Sequence, residues 1–262
     1  MTGSFEFPIF LTMTNILYDF HSNLSAAQNA KFLHPVAVFY SFPYRPRLKA
    51  PVGDVLDNFD HASRQKAINL LKGAPIKSGF KLSLMEAEVT LQAHETDLLF
   101  LLFARAMAEQ AKLAFGQPLC LVPIPASWKT SESEVDSTPE KLASLMLPSL
   151  PNGSLVSRLL RFRAPQERSN QSGTRSPSRL FEAMMVTERL PALPILLIDD
   201  VFSTGAHVQA AAAHILLAGG NLAGASVAAY ATGDSNRLKR NADILTVFLK
   251  KTQANQSKRY LN

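Results

Sequence analysis

Hydrophobic positions along this chain fall into two kinds of run: short unbroken ones, and longer ones with helical spacing. The segment "PVAVFYSF" (35–42) is rich in β-branched and aromatic residues and predicts a strand. Prolines and Gly53 in the stretch 44–53 predict a loop. "HASRQKAINLLKG" (61–73) has helical spacing and ends on Gly73, a good C-terminal cap. Residues 80–92 fit strand and helix templates alike. From 94 to 115 an apolar face recurs at helical intervals, with Asp97 near the start and Gly116 just past the end. "PLCLVPIPAS" (118–127) predicts a short buried strand opening into a loop.

The second half alternates more regularly. Ser137 and Glu140 match a capping box, and Pro139 suits a first turn, so 137–147 predicts a helix. Residues 153–163 fit a strand leading into an arginine-rich loop, 164–178. "ALPILLIDDVF" (192–202) predicts a buried strand, 205–220 a helix closed by Gly219 and Gly220, and 224–232 another strand. Strand and helix in alternation call for a mostly parallel sheet flanked by helices, an α/β fold. Residues 1–34 show no clear period. The expected organisation is an N-terminal extension or hood of uncertain fold (1–93), an α/β domain (94–235) and a basic C-terminal segment (236–262).

Composition narrows the class. Of 262 residues 47% are hydrophobic and 18% charged, which supports a packed core and excludes a disordered chain. With Cys120 alone, neither an intrachain disulfide nor a cysteine zinc site can form, and a cytoplasmic setting is expected. The strongest apolar run, 98–108, is too short to span a bilayer and contains Arg105, so no membrane partner is expected. The net charge of +6 is concentrated: residues 236–262 hold seven cations against Asp243 alone. A second basic cluster, 158–179, sets six arginines against Glu167. Such clusters attract polyanions, nucleic acid and nucleotide phosphates among them, or are simply solvated.

Chemistry concentrates in "PILLIDDVFSTGAH" (194–207). Asp199 and Asp200 end an apolar run. The next residues form a small hydroxyl-and-glycine loop that leads into a helix. At a helix N-terminus the first amides lack intrahelical partners and the dipole favours an anion. Ser203, Thr204 and Gly205 would let a phosphate approach the backbone closely. Two carboxylates beside such a cradle suit a sugar phosphate whose hydroxyls meet the acids. A Walker B strand would also end in acids, but it requires a GxxxxGK[ST] loop, which the chain lacks. Acids that only cap the turn are the plainer alternative, for which one would serve.

The segment "ILLIDDVFSTGAH" resembles the phosphoribosyl-pyrophosphate (PRPP) motif of the type I phosphoribosyltransferases: hydrophobic residues, two acids, then small residues around Thr-Gly. The match runs from Leu196 to Gly205, and His207 stands where a second threonine is common. Upstream, "LVPIPAS" followed by an arginine-rich loop with Gln166, Arg175 and Phe181 is similar to the ComF-like subgroup, which is linked to competence and DNA uptake. The chain departs from that subgroup at three points. "WKTSESEVDSTPE" replaces an Arg-Gly-Phe-Asn segment, Ser178 replaces an asparagine, and the N-terminal cysteine pairs are missing.

The resemblance implies a type I phosphoribosyltransferase-like fold over roughly 95–232 and a set of roles. Asp199 and Asp200 would contact the ribose 2- and 3-hydroxyls and favour an oxocarbenium-like ribose. Ser203, Thr204, Gly205, Ala206 and His207 would wrap the 5-phosphate. Pro123 to Ser127 would lie near the pyrophosphate, with magnesium carried on the ligand and no separate protein metal site. Arg161, Arg163, Arg168 and Arg175 are candidates for pyrophosphate or partner contacts, or belong to a surface loop. His207 and Lys129 each have a ligand-binding and a bland reading, Trp128 could stack on a base or pack its loop, and His214 reads as structural. The activity implied is pentosyl transfer from PRPP to a nitrogen acceptor such as a nucleobase, in nucleotide metabolism. A non-catalytic ComF-like nucleotide-binding or DNA-handling adaptor is the alternative. The acceptor and the oligomeric state, a homodimer included, are not legible.

Overall fold

The computed structural model describes residues 36–44, 58–84, 87–126, 136–165, 177–203 and 205–231, together with the backbone of 15–18. Its centre is a six-stranded sheet. In chain order the strands are β1 (Asn15–Tyr18), β2 (Val36–Tyr44), β5 (Cys120–Pro123), β6 (Leu155–Val156), β9 (Ile195–Phe202) and β10 (Leu222–Ala231). In space they run β1-β2-β10-β9-β5-β6. β1 pairs antiparallel with β2, and the other five strands are parallel. Two hairpins stand outside the sheet: β3 (Phe80–Leu84) with β4 (Ala87–Leu91), and β7 (Leu160–Phe162) with β8 (Met184–Val186). The helices are α1 (Asn58–Leu71), α2 (Thr96–Phe115), α3 (Thr138–Met146), α4 (Pro177–Ala183) and α5 (Ala206–Leu217).

The two faces of the sheet bury two separate cores. Helices α1, α2 and α3 and the β3–β4 hairpin cover one face, over Leu119, Leu121, Leu196 and Ile198. Helices α4 and α5 and the β7–β8 hairpin cover the other, over Cys120, Val122, Ile195 and Leu197. This explains the unbroken run Ile195–Ile198. A parallel strand covered on both faces has no solvent side, so its side chains alternate between two cores rather than between core and water. All four are fully buried, and each contributes about 1.5–3 kcal/mol.

Local signals set several element ends. Gly116 ends α2 at φ 62, in the left-handed region open to glycine. At the start of α3 the expected box forms: the Ser137 side chain accepts from the Glu140 backbone and Ser137 N–H donates to Glu140 Oε2 at 2.7 Å, with the Ser137 hydroxyl also donating to that oxygen at 2.7 Å. Glu140 is buried, and its other oxygen lies 3.0 Å from Arg158 Nε. Arg158 also reaches Asp136 at 2.6 Å, so this member of the basic cluster is tied to the start of α3.

Other readings change. The helix expected at 61–73 begins at Asn58. Residues 80–92, open between helix and strand, form the β3–β4 hairpin, whose burial alternates along Phe80–Leu84. The single strand expected over 153–163 is two strands in different sheets, because the chain leaves the main sheet after Val156 and pairs Leu160–Phe162 with β8 instead. β2, from the stretch set apart as an extension or hood, is an inner strand between β1 and β10. Its carbonyls at Tyr40 and Pro43 accept side-chain donors from Gln110 (3.1 Å) and Arg64 (2.9 Å). Among the described residues no helix is long and apolar enough to cross a membrane.

Candidate functional site

The order of the strands decides where a site can form. β5 leads through α3 outward to β6, on one side. β9 leads through α5 to β10, on the other side and across the opposite face. Neighbouring strands whose exits diverge in this way leave a crevice outside their carboxyl ends, the usual ligand position in an open parallel sheet. The two strands at this switch point are β5, ending at Pro123, and β9, carrying Asp199 and Asp200. They are in register there: Pro123 pairs with Ile198, and Ile124 N–H donates to Ile198 O at 2.8 Å. The "VPIPA" exit therefore runs beside the acid pair.

The acids hold themselves in place through the backbone. Asp200 N–H donates to Asp199 Oδ1 at 2.9 Å, and Val201 N–H donates to Asp200 Oδ1 at 2.7 Å. Burial raises the Asp199 carboxyl well above the usual aspartate range, and the adjacent Asp200 charge raises it further. The two carboxyls are thus unlike: Asp199 resists ionisation, while Asp200 faces a cation.

That cation is Lys72, whose Nζ lies 3.9 Å from Asp200 Oδ2. It follows directly on α1. Pattern reading missed it, because a lysine just before a terminal glycine reads as an ordinary helix-end cation. Only the packing of α1 against the sheet brings it to the acids.

After Phe202 the chain passes exposed Ser203 and turns at Gly205, which caps α5 at φ 76, ψ 4. A residue with a Cβ is strained in that conformation, so glycine is the fitting choice. Buried Ala206 and partly buried His207 begin the helix. Burial lowers the His207 imidazole below its ordinary value, the Asp200 carboxylate raises it, and the Lys72 ammonium lowers it again. His207, Asp200 and Lys72 thus share one electrostatic neighbourhood.

The structure brings Pro123, Asp199, Asp200, Gly205, Ala206 and His207 to one end of the sheet. Arg163 sits elsewhere. Its Nε donates to Glu182 O at 3.3 Å, and its charge bears on His214. His214 lies eight residues into α5, roughly 12 Å along the axis from Ala206. Arg161 lies on β7, in the same hairpin. His214 Nε2 meets Phe181 O at 2.8 Å, and its ring stacks on Phe181 at 4.1 Å between centroids, joining α4 to α5. Cys120, the first residue of β5, is buried in the second core, its thiol pushed up to about 11 by burial and by Glu188. Thr204, Ser127, Trp128, Lys129, Gln166, Arg168, Arg175 and the basic segment 236–262 lie outside the described residues. Among the described residues no three His, Cys, Asp or Glu side chains converge on a point that could hold a metal.

Comparison with protein-family models and with curated proteins finds no match for this chain. The class that fold and site define is therefore structural: an α/β protein with a five-strand parallel sheet flanked by helices, and an acid pair at its switch point.

Proposed function

We propose that this chain binds PRPP, or another ribose 5-phosphate, together with magnesium, and transfers the phosphoribosyl group to a nitrogen acceptor, as a type I phosphoribosyltransferase-like protein. The observation that carries this reading is the placement of the acid pair: Asp199 and Asp200 lie near the carboxyl end of an inner strand at the divergence of β5 and β9, and the chain then turns at Gly205 into α5.

In this reading the site works by position and charge. The ribose hydroxyls meet the two carboxyls. Asp200, with Lys72 at its Oδ2 side, accepts a hydrogen bond. Asp199, whose carboxyl keeps its proton to higher pH, donates or accepts as the proton requires. The 5-phosphate sits at the start of α5, where amides around Gly205 to His207 point outward and the helix dipole favours an anion. Pyrophosphate lies toward Pro123 and the loop that follows. Magnesium prefers hard oxygen donors and keeps several waters, so it suits an ion carried on the ligand's phosphates beside this oxygen-rich strand end. In the reaction the bond from the anomeric carbon to pyrophosphate breaks, a bond to the acceptor nitrogen forms, and the nitrogen gives up its proton. Fixed negative charge beneath the ribose favours the cation-like ring as pyrophosphate departs.

Isothermal titration with PRPP and magnesium tests the proposal. The wild type should bind and the Asp199→Asn, Asp200→Asn double variant should not. Equal binding by both, or none by the wild type, rejects it. In the second case the same proteins go to a nucleic-acid titration, where a steep loss of affinity with salt would favour the DNA-handling alternative.

A further inference from the structure

A cation at the end of α1 suits the helix dipole, but that does not require the Lys72 ammonium to reach a strand distant in sequence. Its backbone is fixed from several directions. Leu70 and Leu71 are buried in the core just before it. Thr138 of α3 donates its hydroxyl to Leu71 O at 3.3 Å. The amides of Lys72, Gly73 and Ala74 close the end of α1 on the carbonyls of Ile68, Leu70 and Asn69 at 3.1, 3.0 and 2.8 Å. From this anchored point the side chain reaches across to a strand distant in sequence. At 3.9 Å the contact is longer than a charge-assisted hydrogen bond, and Lys72 is 48% exposed against 21% for Asp200. Such a pair adds little to folding. Its charge nevertheless falls on Asp199, Asp200 and His207 together.

We propose that Lys72 is the positioning residue of the acid pair. Asp200 Oδ1 accepts from the Val201 amide, and Lys72 sets its charge beside the other oxygen, which biases the carboxylate toward one orientation before a ligand arrives. The end of α1 becomes part of the site without touching the reacting atoms. This inference rests on reading the acid pair as a ligand site.

The test is a double-mutant cycle over Lys72→Met and Asp200→Asn, with Lys72→Arg as the conservative control. Each protein is titrated with PRPP and magnesium, and the side-chain carboxyl carbon resonance of Asp200 is followed by NMR without ligand in the proteins that keep Asp200. Lys72→Met should weaken binding about twofold to fivefold, the range of a partly exposed pair. Lys72→Arg should restore it, and Lys72→Met should add nothing once Asp200 is Asn. An equal loss in both backgrounds, or no loss in either, overturns the proposal. If the wild type binds no PRPP, the functional reading fails and the Asp200 carboxyl resonance decides Lys72 alone. A resonance moved by Lys72→Met and returned by Lys72→Arg supports the pairing. A resonance that Lys72→Met leaves in place overturns it.

Discussion

Asp199→Asn should make this protein more stable at neutral pH and, in the function proposed above, weaken ligand binding. The substitution keeps shape and keeps an oxygen that can accept the Asp200 amide, a 2.9 Å bond in the wild type. It deletes a carboxylate whose ionised form is disfavoured first by burial and then by Asp200. Because its folded value is raised above the ordinary 3.8, the folded chain holds a proton that the unfolded chain has released. Relative to acid conditions, stability is therefore lost as pH rises through the folded value. Above the ordinary value the wild type bears a cost that grows with pH up to the folded value, and the Asn variant does not. A gain of about 0.5–2 kcal/mol is expected, the usual range for relieving an unfavourable group at a functional site. For a chain of this size that corresponds to roughly 2–4 °C in Tm per kcal/mol. The assay is thermal and urea unfolding of both proteins across a pH series, from below 3.8 up to neutrality. The advantage of Asn should grow with pH and disappear at the acid end. A variant less stable at neutral pH, or a gain independent of pH, would refute the argument that Asp199 is held against its own ionisation.

Two further outcomes follow from named geometry. Gly205→Ala forces a Cβ into the left-handed conformation at φ 76 and should cost about 1–2 kcal/mol, read as a lower urea midpoint with an unchanged slope; an Ala variant as stable as the wild type would show that this turn relaxes freely. His214 is lowered chiefly by burial, so its neutral form belongs to the fold, and the stability it supports is complete above about pH 6.5 and lost as pH falls through its folded value. His214→Gln should flatten that part of the stability profile, and a profile with the same acid slope would place the titration elsewhere.

Much of the candidate site was legible before any fold was known. The apolar run into Asp199 and Asp200, the small loop, and the alanine-rich helix closed by Gly219 and Gly220 are local in sequence, and each follows from periodicity or turn chemistry. So do the Ser137–Glu140 box and the Gly116 cap, whose partners lie within a few residues. The ambiguous stretch 80–92 is a hairpin because Leu82 and Leu91 are buried in the core shared with α2, a packing term that local propensity does not contain. The basic cluster 158–179 looked uniform, yet Arg158 is paired with Asp136 and Glu140, and Arg163 donates to Glu182 O.

By itself, then, the sequence determined which segments could be strand, turn or helix, and that two acids stand near the end of a buried strand ahead of a small-residue turn. Those are properties of residues near one another along the chain. The tertiary structure alone decided that β9 lies between β5 and β10, so that two connections diverge at the acids, that β2 joins the same sheet, and that Lys72 meets Asp200 from 128 positions away in the numbering. Strand order and long-range ion pairs are set by which apolar faces can be buried together across the whole chain, and no local pattern encodes that choice.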